Sequence, residues 1–250
     1  MKRAWYLGVG REEVAPRCVL VGDPARVDLF AACLDGARLV SEERGLRTVT
    51  GAAGGVPVTV SAFGMGAPIA AVVLEELVGL GARVVLRAGT ALGVGGEDGP
   101  SLGAFVVAQA AMRGEATSAG YAPPGYPAAA DPDLNDRLRA ELVRAGAPFL
   151  VGTMASYDGF YTELFAADEA RRAGVEARLA ELRRLRVLAA DMETSAVLVA
   201  GAVLGVRAGS LCLVSVDGAN RARLGEAERR AGEARLVEVA LAAVAATPLA

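Results

Sequence analysis

The chain has 250 residues, 53% of them hydrophobic, 22% charged and 5% aromatic, with a formal net charge of -3 and no histidine. Without histidine there is no Ser-His-Asp triad, no Cys-His pair, no HExxH zinc site and no imidazole base. Without a basic excess to displace counterions, there is no general nucleic-acid binder.

In chain order, Arg17–Val21 reads as a buried strand that ends in Gly22-Asp23-Pro24. Val58–Phe63 alternates as a second strand, with Pro57 ahead of it where a missing N–H is tolerated. Gly64-Met65-Gly66 then opens a helix over 68–80, with Pro68 in its first turn. Arg83–Arg87 is a third strand, leading into Ala88-Gly89-Thr90, and Ala104–Ala108 a fourth. Gly114 and the Pro-rich 122–127 stretch punctuate a surface loop. Asp131 or Asp133 caps a helix that runs to Arg144 and closes at Gly146. The Arg/Glu/Ala-rich 166–185 segment predicts a solvated helix, Met192–Leu204 an apolar one, Ser210–Val216 a buried strand and Gly225–Ala246 a C-terminal helix. Strand–helix alternation with no linker and no repeat predicts one domain over 1–250: a three-layer α/β/α sandwich around a mostly mixed sheet.

Cys18, Cys33 and Cys212 are odd in number, scattered and free of any CxxC, so they predict neither a disulfide framework nor a zinc ribbon. The N-terminus has no apolar core of a signal peptide, and the apolar run Ala196–Val206 is too short to span a bilayer. A cytoplasmic protein with no membrane or nucleic-acid partner, no metal and no organic cofactor is expected.

Ligands of open α/β sheets sit beyond the carboxyl ends of the strands, and four segments end there in unusual residues. Arg87 lies in the apolar run VVLRAGT, so its guanidinium needs a buried partner. Either it pairs with a carboxylate, or with Arg26 and Thr90 it forms an oxyanion site, for which the guanidinium fork is suited. Asp191-Met192-Glu193 opens an apolar helix. Its acids either cap that helix or accept hydrogen bonds from vicinal hydroxyls such as those of ribose.

Together VGDPARV (Val21–Val27), the stretch Phe63–Thr90 from FGMG to RAGT, SYDGFY (Ser156–Tyr161) and ADMETSAV (Ala190–Val197) resemble the nucleoside phosphorylase family of purine nucleoside and uridine phosphorylases. The resemblance covers nearly the whole chain. It implies a phosphate site of Gly22, Arg26, Arg87 and Thr90, joined by Arg44 from a neighbouring subunit. It implies a ribose site of Met65, Asp191, Met192 and Glu193, with Tyr6 from the neighbour, and Phe160 against the base. Asp217 corresponds to the acid that protonates a leaving purine, supported by Arg229 or Arg230. The implied catalytic set is therefore Asp217, Arg87 and Arg229, in a dimer-based homo-oligomer, a hexamer, with inorganic phosphate as co-substrate.

The chain departs from the family pattern at four places. Tyr6 stands where members carry a histidine, Asp191 where they carry Glu, and Val216 where purine-specific members carry Ser. Thr162–Ala167 lacks the Gln and Arg with which uridine phosphorylases read uracil. The expectation is phosphorolysis of a purine nucleoside, with uridine phosphorylase as the alternative. A methylthioadenosine-type nucleosidase fits less well, because water needs no anion site and Arg26, Arg44 and Arg87 are all present. A non-catalytic nucleoside or phosphate binder would show binding without turnover.

Overall fold

The computed structural model describes residues 3–96 and 99–249. Its elements are β1 (Arg17–Val21), α1 (Pro24–Ala31), β2 (Asp35–Ser41), β3 (Thr48–Ala53), β4 (Val56–Ala62), α2 (Ala67–Leu80), β5 (Val84–Gly93), β6 (Phe105–Gly114), α3 (Pro132–Arg144), β7 (Phe149–Tyr157), α4 (Glu169–Arg184), β8 (Ala189–Asp191), α5 (Thr194–Val203), β9 (Arg207–Asp217) and α6 (Glu226–Ala246). The strands form one mixed sheet in the order β2-β3-β4-β1-β5-β8-β7-β6-β9. Because β5 also pairs with β9, the half containing β5 to β9 closes on itself. One face is covered by α1, α3 and α6, whose Phe30, Leu138 and Leu236 join Val19, Leu86 and Leu211 of the sheet in one core. The other is covered by α2 and α5, whose Leu74 and Val197 pack on Cys18, Leu20 and Val85. The expected α/β/α sandwich in one domain is what the chain adopts.

The strand ends are where local chemistry shapes the backbone. Asp23 follows β1 and caps α1, accepting the Ala25 N–H at 2.9 Å with Pro24 in the first helical turn. At the end of β4 the chain turns into α2 through Gly64 (φ +83°) and Gly66 (φ +100°), where a side chain would be strained. Asp131, not Asp133, caps α3. The register then sets Arg87 beside Leu20 of β1 and Ser210 of β9, and Asp191 beside Ser156 of β7. No described helix is long and apolar enough to cross a membrane.

Candidate active site

Arg87, within β5 and level with the end of β1, meets the residues at the end of β8, and its side chain is 5% exposed. Its guanidinium donates to Glu193 Oε2 at 2.5 Å and to Cys212 Sγ at 2.8 Å, and lies 3.1 Å from Asp191 Oδ2. Burial alone would push this arginine down, but the carboxylates of Asp191 and Glu193, with the neighbouring thiol, hold it above its ordinary value. Its cation is therefore permanent. Burial raises the Cys212 thiol, partly offset by the Arg87 charge, so sulfur serves here as a neutral acceptor.

Each carboxylate is held in turn. Glu193 accepts the Gly66 N–H at 2.6 Å, tying the end of β8 to the start of α2. Asp191 accepts from Ser156 Oγ at 2.6 Å, from the Glu193 and Thr194 amides at 3.2 Å and from the Thr194 hydroxyl. Thr194 reaches Ser210 Oγ at 2.8 Å, and Ser195 Oγ donates to buried Glu115 at 2.8 Å. A hydrogen-bonded network thus runs behind Arg87. Such networks are rigid when their members are satisfied.

Arg26 is also buried, and its guanidinium pairs with Glu233 of α6 at 3.2 Å. The buried Nε donors of both Arg26 and Arg87 have no partner among the described residues, so each arginine keeps a hydrogen bond to give. Gly22, just past β1, and Thr90, within β5, are half-buried. Both guanidinium groups are paired with carboxylates, so what this region offers an anion is their remaining Nε–H donors and the start of α2.

The other end is built on rings. Phe160 stacks on Phe165 at 5.7 Å and meets Tyr161 edge-on at 5.2 Å. The guanidinium groups of Arg221 and Arg223, from the loop after β9, lie over Phe165 at 4.4 and 5.1 Å. A family model described as the phosphorylase superfamily matches residues 16–247. The chain belongs to this superfamily. A uridine phosphorylase of Thermococcus kodakarensis is 32% identical over 81% of this chain and 73% of its own. A guanosine phosphorylase of Halorubrum lacusprofundi is 32% identical over 87% and 84%. The crystal structure of a uridine phosphorylase from Vibrio fischeri superposes with a TM-score of 0.84 at 27% identity, covering 99% of this chain and 96% of that one. As a member of the phosphorylase superfamily the protein is a pentosyltransferase of the nucleoside phosphorylase type, acting on a nucleoside and phosphate.

The superfamily chain joins Arg87, Asp191 and Glu193 directly, with the Gly66 amide on Glu193, while Arg26 pairs with Glu233 and Met65 is 83% exposed. It separates others. Asp217 Oδ1 accepts the amides of Ala219 and Asn220 at 2.7 and 3.4 Å, as in a tight turn. Arg229 does not support it: its side chain lies one helical turn from Glu233 and pairs with that residue at 3.7 Å. Arg230 pairs with Glu226 by the same spacing. Asp191, expected at the ribose, is spent on Arg87 and the hydroxyls behind it, because it lies at the buried end of β8. Tyr6 and Arg44 are exposed, lie together and sit on elements outside the strand-end cluster. Arg221, Arg223, Phe165 and Glu115 carry no motif that marks them in the sequence.

Proposed function

We propose that the enzyme cleaves uridine by phosphorolysis, giving uracil and ribose 1-phosphate. The observation that carries this reading is the pair of guanidinium groups, Arg221 and Arg223, over the ring of Phe165, on which Phe160 stacks. As the glycosidic bond breaks, its electron pair leaves with the base. In uracil that charge spreads onto two carbonyl oxygens, which guanidinium donors stabilise. A purine leaves more readily when N7 takes a proton from an acid, and Asp217, the candidate for that role, is engaged in a turn. Relatives in Thermococcus kodakarensis and Treponema pallidum, 32% and 30% identical, are uridine phosphorylases and support the same base.

In this mechanism the phosphate lies among Gly22, Arg26, Arg87 and Thr90, with Arg44 reaching in from a second copy. Positive charge builds on the sugar as the base departs, as in glycoside cleavage. The bound dianion stabilises that charge, and one of its oxygens then forms the new bond to the anomeric carbon. Glu193 holds the ribose hydroxyls, Met192 and Met65 pack on the sugar, and Phe160 faces the base, so much of the barrier is met by positioning. Asp191 orients Arg87. The working unit is a homo-oligomer built from dimers, a hexamer. The exposure of Trp5, Met65 and Tyr161, at 77%, 83% and 59%, supports a covering second copy.

The test is a panel of uridine, inosine and guanosine, each with and without phosphate, with products identified. Uridine should turn over fastest, and only with phosphate, to uracil and ribose 1-phosphate. A faster purine nucleoside would return the base assignment to Asp217. Equal rates without phosphate would overturn phosphorolysis itself.

A further inference from the structure

The N-terminal segment is pinned to α2 and packs against the turn that carries Arg44. Glu76, buried on α2, accepts the backbone N–H groups of Trp5, Tyr6 and Leu7 at 2.8, 2.7 and 2.8 Å. One carboxylate thus pins three consecutive peptide groups. Gly8, two residues past Tyr6 and at φ +62°, makes room for the neighbour of Arg44: a Cβ there would lie 2.5 Å from Glu43 Cδ. Finally the Arg44 guanidinium sits over the Tyr6 ring, 5.1 Å from its centroid. Arg44 itself holds φ +56°, a conformation that residues with a Cβ rarely adopt, so its surroundings must hold it there.

We infer that Tyr6 is a positioning residue for Arg44, its ring fixing the guanidinium in the direction in which it is presented to a second copy's phosphate. The inference rests on the proposed delivery of Arg44 to that site. It gives the two parts of Tyr6 different work: the hydroxyl serves the nucleoside, and the ring serves the phosphate. An exposed arginine gives up rotamer freedom when it binds an anion. A ring that already restrains it removes part of that loss, and the gain appears as tighter phosphate binding. Glu76 acts one step further back, by fixing the backbone from which the ring projects.

The experiment is steady-state kinetics with phosphate varied, then nucleoside varied, using uridine or whichever nucleoside of the panel turns over fastest. Arg44→Ala should raise the phosphate KM. Tyr6→Ala should raise it roughly two- to tenfold, the range of a cation–π contact. Tyr6→Phe, which keeps the ring, should leave the phosphate KM within about twofold of the parent. In the double variant Tyr6→Ala/Arg44→Ala the tyrosine change should add nothing, because its target is gone. If Arg44→Ala raises the phosphate KM while Tyr6→Ala does not, or if the two effects add in full, the positioning role is wrong. If Arg44→Ala leaves the phosphate KM unchanged, the delivery of Arg44 falls first and takes the inference with it.

Discussion

In the strand cluster, Arg87 is held by Glu193, Asp191 and Cys212, all buried and drawn from two separate stretches of chain. At the aromatic cluster, Arg221 and Arg223 rest on Phe165 from an exposed loop; Arg221 also donates to the Ala166 carbonyl at 2.5 Å, and the loop backbone is tied to the end of β9 by the Arg221 N–H on the Asp217 carbonyl at 2.8 Å and by a bridge between Arg223 and Val216. The first arrangement is set by strand register and cannot change without disturbing the sheet. The second can change with a few loop residues. On the function proposed above, binding of phosphate and sugar, common to every nucleoside, falls on the rigid part and selection of the base on the variable part. The relatives fit this division, since uridine and guanosine phosphorylases match the chain at equal identity.

The largest expected effect comes from breaking the rigid end. Arg87→Ala should lower kcat/KM by about 10²–10³, as for other lost electrostatic stabilisers. It should also lower stability by about 3–5 kcal/mol, because two buried carboxylates lose their cation. Kinetics together with a urea midpoint measure both. Near-parental turnover would mean that the phosphate is bound elsewhere. Arg87→Lys should recover little, because an ammonium cannot span Asp191, Glu193 and the sulfur together.

A second prediction asks whether the rigid end is complete within one chain. Mixed Arg44→Ala and Arg87→Ala subunits should regain activity that neither has alone. In a dimer with exchanged arginines, random mixing leaves roughly a quarter of the sites with both. No regain after verified subunit exchange would confine the site to one protomer.

At the variable end the effect should be smaller and of a different kind. Arg221→Ala and Arg223→Ala should each lower uridine kcat/KM by about tenfold, the cost of one partly exposed charged hydrogen bond. The phosphate KM should not move. An equal loss with every nucleoside would mean that these arginines shape the loop and do not read the base.

The same division governs what the sequence reveals. GDPAR is legible because each residue acts locally: Asp23 caps, Pro24 opens α1, and Arg26 falls in its first turn. The apolar strands β1, β4 and β9 and the helices α2, α3 and α6 are legible from patterning. Strand β2 is not, because it is an exposed edge without alternation, and β8 is not, because its three residues are a strand only through pairing with β5 and β7. Strand β5 runs past Arg87 to Gly93 for a similar reason: β9 pairs with it along its length. An arginine inside VVLRAGT announces a buried partner, yet Glu193 lies 106 residues away, and only the fold joins them. Arg221 and Arg223 look like any other surface arginines until the loop after β9 folds over Phe165.

The smallest expected effect is the most informative about the base. Asp217 Oδ1 accepts the Ala219 amide at 2.7 Å, and an asparagine carbonyl accepts the same bond. Asp217→Asn should therefore cost stability within about 0.5 kcal/mol, as for a surface change that keeps its hydrogen bond. It removes the one group on this loop that was expected to give a proton to a purine. If uracil leaves on guanidinium donors, uridine turnover should stay within about twofold of the parent. Inosine turnover, if measurable, should respond only if Asp217 leaves its turn to reach N7. A large loss with uridine would show that the carboxylate acts on the base in spite of its turn. A large loss confined to inosine would show one loop serving two bases by two chemistries, with Asp217 protonating purines and the arginines stabilising uracil.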